Sequence, residues 1–248
     1  MKKYLMEQMN WHEFDAKKNG IVILPVGSTE QHGPHLPLSC DSVIAREISI
    51  KFAELVDGVV APTFTYGYKS KPLSGGGPLF PGTIDLNGET LIHLAYDVLE
   101  ELIKDGIHKI FIVNAHFENE AFLLEAVDLI SQKYPDVTII ESNWWDVLTD
   151  AVVDQIFDTV PFPGWALEHA AITETSLMMY LAPDLVFEDK MIEEDGATPL
   201  PYFKYPIVKG MVPDSGLLAT ARSSSSQKGK LITDEALKAF VEISKKEF

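Results

Sequence analysis

Two short segments concentrate side chains that bind cations. The first, GSTEQHGPHLPLSCD (27–41), holds Glu30, His32, His35, Cys40 and Asp41, with prolines stiffening the chain between them. The second, NAHFENE (114–120), holds His116 and Glu118. In extended chain, residues two apart face the same way, so Glu30 and His32 aim at one point, as do His116 and Glu118. Three carboxylates and two imidazoles left bare in one cleft would repel one another and acquire raised carboxyl pKa values. Two divalent cations remove that conflict. Imidazole with carboxylate suits Zn or Mn, and the ligand set Glu30, His32, Asp41, His116 and Glu118 leaves positions open for water, as a catalytic site requires.

A single His-x-Glu pair after a strand is ordinarily a helix cap beside a surface histidine. Two such pairs at the ends of neighbouring strands point to metal instead. His35 is expected to pack or to support a ligand by a hydrogen bond. Cys40, the only cysteine, rules out an internal disulfide, and neighbouring carboxylates would raise its thiol pKa and blunt it as a nucleophile. His12, His93 and His108 lie in polar or helical surroundings and carry no role. The glycine run at 74–77 is not followed by the Lys-Ser/Thr of a phosphate loop, and reads as backbone that must approach a ligand closely.

The elements that must position these residues follow from hydrophobic patterning. IVILPV (21–26), GVVAP (58–62), KIFIVNA (109–115) and VTIIES (137–142) are continuous apolar runs, as expected of strands covered on both faces. Between and after them, 42–56, 89–106, 118–134, 169–182 and 227–248 carry apolar residues at helical spacing, with Gly106 and Pro135 as stop signals. The alternation predicts a single α/β domain over 1–248, a mostly parallel sheet with helices on both faces. Ligands of such sheets bind at the carboxyl ends of the strands, where both chemical segments lie. The long irregular stretch 183–226 is expected to cover a site or a subunit contact.

The chain has 248 residues, 46% of them hydrophobic, enough for a sizeable core. Its formal net charge of −17 opposes nucleic-acid backbones and anionic lipid. No apolar stretch approaches the ~20 residues of a membrane span and the start is polar, so a cytoplasmic protein is expected.

Together, LPVGSTEQHGPHLPLSCD, YGYKSKPLSGGGPLFPGTIDLNG, NAHFENEAF, NWWD, GWALEHAAITETSLMMYLAPDLV and SGLLATARSSSSQKGKLI resemble the creatininase family, in order and over nearly the whole chain. The GGG loop, the paired tryptophans and the Trp-x-x-Glu-His segment resemble its creatinine-hydrolysing branch. The resemblance implies that Glu30 and His116 serve one metal, His32 and Glu118 the other, and that Asp41 bridges both. It places Ser74 and the Phe117 backbone near the substrate, Trp165 stacked on a planar ring and Trp145 as a second wall or gate. His169 is implied as the proton-handling residue, with Glu118 counted among the catalytic groups. Two positions depart from the family pattern: Phe117 replaces a tyrosine, and Ala166 an aspartate after the gate tryptophan, which leaves the substrate more open than the reaction.

The implied reaction is reversible opening of creatinine to creatine. A water shared by two cations ionises near neutrality and attacks the amide carbonyl, while one cation polarises its oxygen. Histidine titrates in the right range to protonate the leaving nitrogen, though Glu168 and His169 could equally cap a helix. Alternatives are a sister hydrolase acting on a formamide, a cyclic ketose or lactone-like substrate or a peptide end, a non-hydrolytic metal-dependent lyase or isomerase, and a non-catalytic metal-binding oligomer. Similarity to the family also implies a homohexamer.

Overall fold

The structure, a computed structural model, describes residues 4–71, 77–194, 196–198 and 201–248. Four strands, β1 (Val22–Val26), β2 (Val59–Val60), β3 (Lys109–Asn114) and β4 (Thr138–Asn143), form one parallel sheet in the order β2-β1-β3-β4. All four fall within the expected runs or a residue beyond them. Among the described residues the α-helices are α1 (Trp11–Asp15), α2 (Cys40–Val56), α3 (Gly88–Lys104), α4 (Glu120–Lys133), α5 (Asp150–Ile156), α6 (Ile172–Leu181) and α7 (Ser226–Glu247).

Strand side chains alternate between two cores. Ile23, Phe111 and Val113 pack with residues of α2, α5, α6 and α7, whereas Val22, Leu24, Val26, Ile110 and Ile112 pack with α3 and α4. The result is the helix–sheet–helix layering that unbroken apolar strands require. Pro25 in a central strand breaks no ladder. It lacks an N–H on the β2 side, where β2 has already ended, and its carbonyl on that side accepts from Phe64.

The connection from β1 turns outward through α2 to β2, and the chain returns through α3 to β3 on the other side of β1. The strand order therefore reverses between β1 and β3, where a crevice opens beyond their carboxyl ends. Glu30 follows β1 and His116 follows β3, in strands whose register pairs Val26 with Asn114.

Two differences from the patterning have clear causes. Helices α1 and α5 are too short to show a period. The helix expected from residue 169 begins only at Ile172, because Ala170 takes a left-handed conformation with φ +55° and interrupts it. No described helix is long and apolar enough to cross a membrane.

Candidate metal centre

The exit from β1 packs hard on the first turn of α2. A Cβ at Gly27 would collide with the backbone of Asp41 and Ser42, so only glycine admits this approach. It carries the 27–39 loop over the helix start and sets Glu30 and His32 beside Asp41. Asn119 ties the loops together: its Nδ2 donates to the Gly27 carbonyl at 3.1 Å and its Oδ1 accepts from Tyr68 N at 2.8 Å. Asn114 fixes the β3 exit, its Oδ1 accepting from His116 N at 3.2 Å and its Nδ2 donating to His116 O at 2.9 Å.

Glu30, His32, Asp41 and His116 converge and are buried, none more than 3% exposed. His116 Nδ1 lies 3.0 Å from Glu30 Oε1 and 3.1 Å from Asp41 Oδ2. The other Asp41 oxygen, Oδ1, lies 2.8 Å from His32 Nε2. Asp41 thus faces one imidazole with each oxygen.

Each ring has its outer nitrogen engaged by a carbonyl. His116 Nε2 is 2.7 Å from Tyr68 O, and His32 Nδ1 is 3.2 Å from Glu30 O. With those nitrogens donating, the inner nitrogens face carboxylate oxygens and, in the neutral rings, offer lone pairs that a cation between them would take. Despite the 2.8 Å separation, His32 Nε2 and both Asp41 oxygens have no hydrogen-bond partner. Buried acceptors this close, without hydrogen-bond geometry, fit donors around a cation.

Of the remaining expected residues, Glu118 Oε2 lies 3.6 Å from His116 Nε2, on the ring edge turned away from Glu30 and Asp41. The carboxylate beside His32 is instead Glu174 of α6, its Oε2 at 3.5 Å. His169 packs against His32 with ring centroids 4.4 Å apart and the rings tilted by 39°, and its Nδ1 is 3.8 Å from Glu30 Oε1. Its Nε2 lies 2.8 Å from the Gln31 carbonyl oxygen and 2.9 Å from Gln31 Nε2. Phe117, Trp145, Trp165 and Ala166 line one cavity with His116, Glu118 and His169. Phe117 and Trp145 are 5.8 Å apart by ring centroids. Ser74 lies outside the described residues. His35 is buried and its Nε2 hydrogen-bonds Thr175 Oγ1 of α6 at 2.8 Å rather than any of the converging residues.

Three further residues were not singled out from the sequence. Glu174 lies in the first turn of α6, where an acid ordinarily serves the helix dipole, and nothing local distinguishes it. Gln31 is held by Gly33 N, which donates to its Oε1, and by the Gly216 carbonyl, which accepts from its Nε2, both at 2.9 Å. Trp144 lines the cavity with its buried Nε1 lacking a hydrogen-bond partner. The adjacent Trp-Trp pair was legible, but not which of the two indoles would present a donor.

The electrostatics follow from this packing. Burial alone would raise the Glu30 carboxyl, but His116 and His169 outweigh it and hold it at about 2. Burial likewise opposes ionisation of Asp41, yet His32 and His116 keep it well below the ordinary carboxylate range. Burial would lower both imidazoles. Neighbouring Cys40, Asp41 and Glu174 push His32 well up instead, and Glu30 and Asp41 do the same to His116.

Glu168 behaves differently. Its Oε2 accepts from Thr173 N at 2.8 Å and Thr173 Oγ1 at 2.5 Å, so it caps α6, while burial lifts the carboxyl to about 8. Between about 4.5 and about 8 the folded chain keeps a proton that the unfolded chain releases. Stability therefore falls as pH rises through that window. In chelator-treated protein, Glu168→Gln is expected to gain on wild type by a few kcal/mol between pH 5 and pH 8, since Gln keeps the cap without the charge. Thermal melts at both pH values check this, and parallel curves would contradict it.

The creatininase family model, described as creatinine amidohydrolase, matches residues 7–244. The chain belongs to the creatininase family. Over 255 aligned residues, covering 100% of this chain and 98% of the relative, it is 33% identical to the family's creatinine amidohydrolase from Pseudomonas putida. It is also 33% identical over 178 residues, 69% of this chain and 62% of the relative, to the mycofactocin precursor peptide peptidase of Mycolicibacterium smegmatis. Among solved structures, a creatininase variant complexed with creatine matches with a TM-score of 0.95 at 33% identity, covering 99% of both chains. Creatininase structures described as Zn–Zn type and as Mn match with a TM-score of 0.95, each covering 100% of this chain and 99% of the other. Family membership and this full-length likeness make the chain a metal-dependent amidohydrolase, and its buried donors are a candidate site for a divalent metal.

Proposed function

We propose that this enzyme opens creatinine to creatine reversibly, at a pair of divalent cations, Zn, Mn or both. The observation that carries the reading is Asp41, which turns one oxygen to His32 and the other to His116 with neither hydrogen-bonded. Glu30, Asp41 and His116 would hold one cation; His32, Asp41 and Glu174 would hold the other. Glu174 replaces Glu118 as the partner of His32, because α6 brings its carboxylate under that ring, whereas Glu118 sits at the far edge of His116. When bound, such a pair supplies Lewis acidity to the amide carbonyl and acidifies water at neutral pH.

The chain's own residues do the rest. Trp165 and Trp145 wall the cavity and shed water around a flat ring, stacking adding ~0.5–1.5 kcal/mol beyond burial. Trp144 Nε1 offers a donor to a substrate oxygen or nitrogen. With His169 Nε2–H donating to the Gln31 carbonyl, Nδ1 is the nitrogen that passes a proton to the leaving amine. Glu118, lining the same cavity, would take the proton of the attacking water. Phe117 and Ser74 are read as substrate contacts through backbone and hydroxyl.

A second reading, cleavage of a peptide end, draws on Ala166. Ala166 lines the cavity with a methyl group that offers no polar contact, and a relative of 33% identity is a peptide peptidase. The deciding experiment offers metal-loaded protein creatinine and, separately, short peptides. Creatine above the level of a chelated control is expected; cleaved peptide with no creatine would transfer the assignment to the second reading. Chelation is also expected to lower the melting temperature, since metal at a hundredfold excess over its Kd stabilises by about 2.7 kcal/mol. A cytoplasmic homohexamer is the accompanying reading, and a monomeric mass in solution would refute the assembly.

A further inference from the structure

Cys40 takes no part in the reaction above, yet it is fully buried and packed against the cation-binding groups rather than only among aliphatic ones. The ligating atoms of His32, Cys40 and Asp41 all lie within 4.8 Å of one another. His32 Nε2 and both Asp41 oxygens are buried beside it without hydrogen-bond partners. A buried cysteine at a helix start is ordinarily a small hydrophobe, and Cys40 does touch the core on that side of the sheet. Aliphatic packing does not account for a sulfur set among unsatisfied nitrogen and oxygen donors.

We infer that Cys40 is a sulfur ligand for the cation held by His32 and Asp41 and sets the metal preference of that position. The inference rests on the metal reading above. Small side-chain shifts bring all three atoms onto one ion; as the sulfur–metal bond forms, the thiol proton passes to solvent, and no oxidant is involved. Thiolate selects Zn over Mn, whereas oxygen and imidazole alone discriminate less. The Glu30, Asp41 and His116 position has no sulfur, since the chain has one cysteine. The two positions therefore differ in softness, and the His32 side holds Zn more selectively.

A single thiol makes the test specific. The protein is stripped, reloaded with Co²⁺, its bound cobalt counted, and its near-ultraviolet spectrum recorded for a sulfur-to-cobalt charge-transfer band. Wild type is expected to show the band, and Cys40→Val and Cys40→Ser to lack it while still binding cobalt. In competition, Cys40→Val is expected to lose tenfold or more of the preference for Zn²⁺ over Mn²⁺. Bound cobalt without the band in wild type overturns the inference and needs no variant to fold. A Cys40→Val protein that keeps the wild-type Zn/Mn preference also overturns it. Failure to bind cobalt at all would remove the metal reading as well, so the two failures are separable.

Discussion

Asp41→Asn, if Asp41 bridges two cations as proposed, is expected to reduce bound metal to one ion per chain or none and to lower kcat by at least about a thousandfold. The amide matches the carboxylate in shape but carries no charge, and only one of its two heads accepts. It can face His32 or His116 as an acceptor, not both, where Asp41 faces each at 2.8 and 3.1 Å. The loss is one of charge rather than volume, so the β1 and β3 core should stand and far-ultraviolet circular dichroism should change little. Elemental analysis alongside turnover checks the expectation. Full metal content with turnover within tenfold of wild type would refute the bridging role.

His169→Ala is expected to retain metal and lower turnover by ~10²–10⁴-fold, the range of general acid–base catalysis. His169 touches the cluster by a tilted ring contact with His32 and by approaching Glu30 at 3.8 Å, too far to hold it in place. Removing it should leave the ligands where Asn114, Asn119 and Gly27 put them. Metal content, kcat and the pH profile separate the possibilities. Unchanged kcat would make His169 a packing residue, and loss of metal would make it a ligand, which its place near Glu30 and His32 permits.

These residues also show what the sequence can and cannot say. The strands were legible because double-sided burial writes itself as unbroken Val and Ile runs. Those runs placed Glu30 and His116 beyond neighbouring carboxyl ends. Asp41 was legible through its closeness to Glu30 and His32 in the chain. Glu174 was not, because it reaches His32 through the packing of α6 against α2, a contact 142 residues away that carries no local mark. Gln31 escaped notice for a similar reason: its role depends on Gly216. The displaced start of α6 escaped because alanine gives no sign that Ala170 will turn left-handed and hand the cap to Glu168.

Gly216, at φ +82°, lies near the end of the irregular stretch after α6, and a Cβ there would strike the Gln31 amide. Through its carbonyl that turn steadies Gln31, and Gln31 in turn touches the His169 ring. The ring's aim is thus set by a part of the molecule that contributes nothing to the sheet. Nicking the exposed run that holds Tyr202, Phe203 and Tyr205 should silence the enzyme while its strands still resist denaturant. Shape and competence would then melt as separate events.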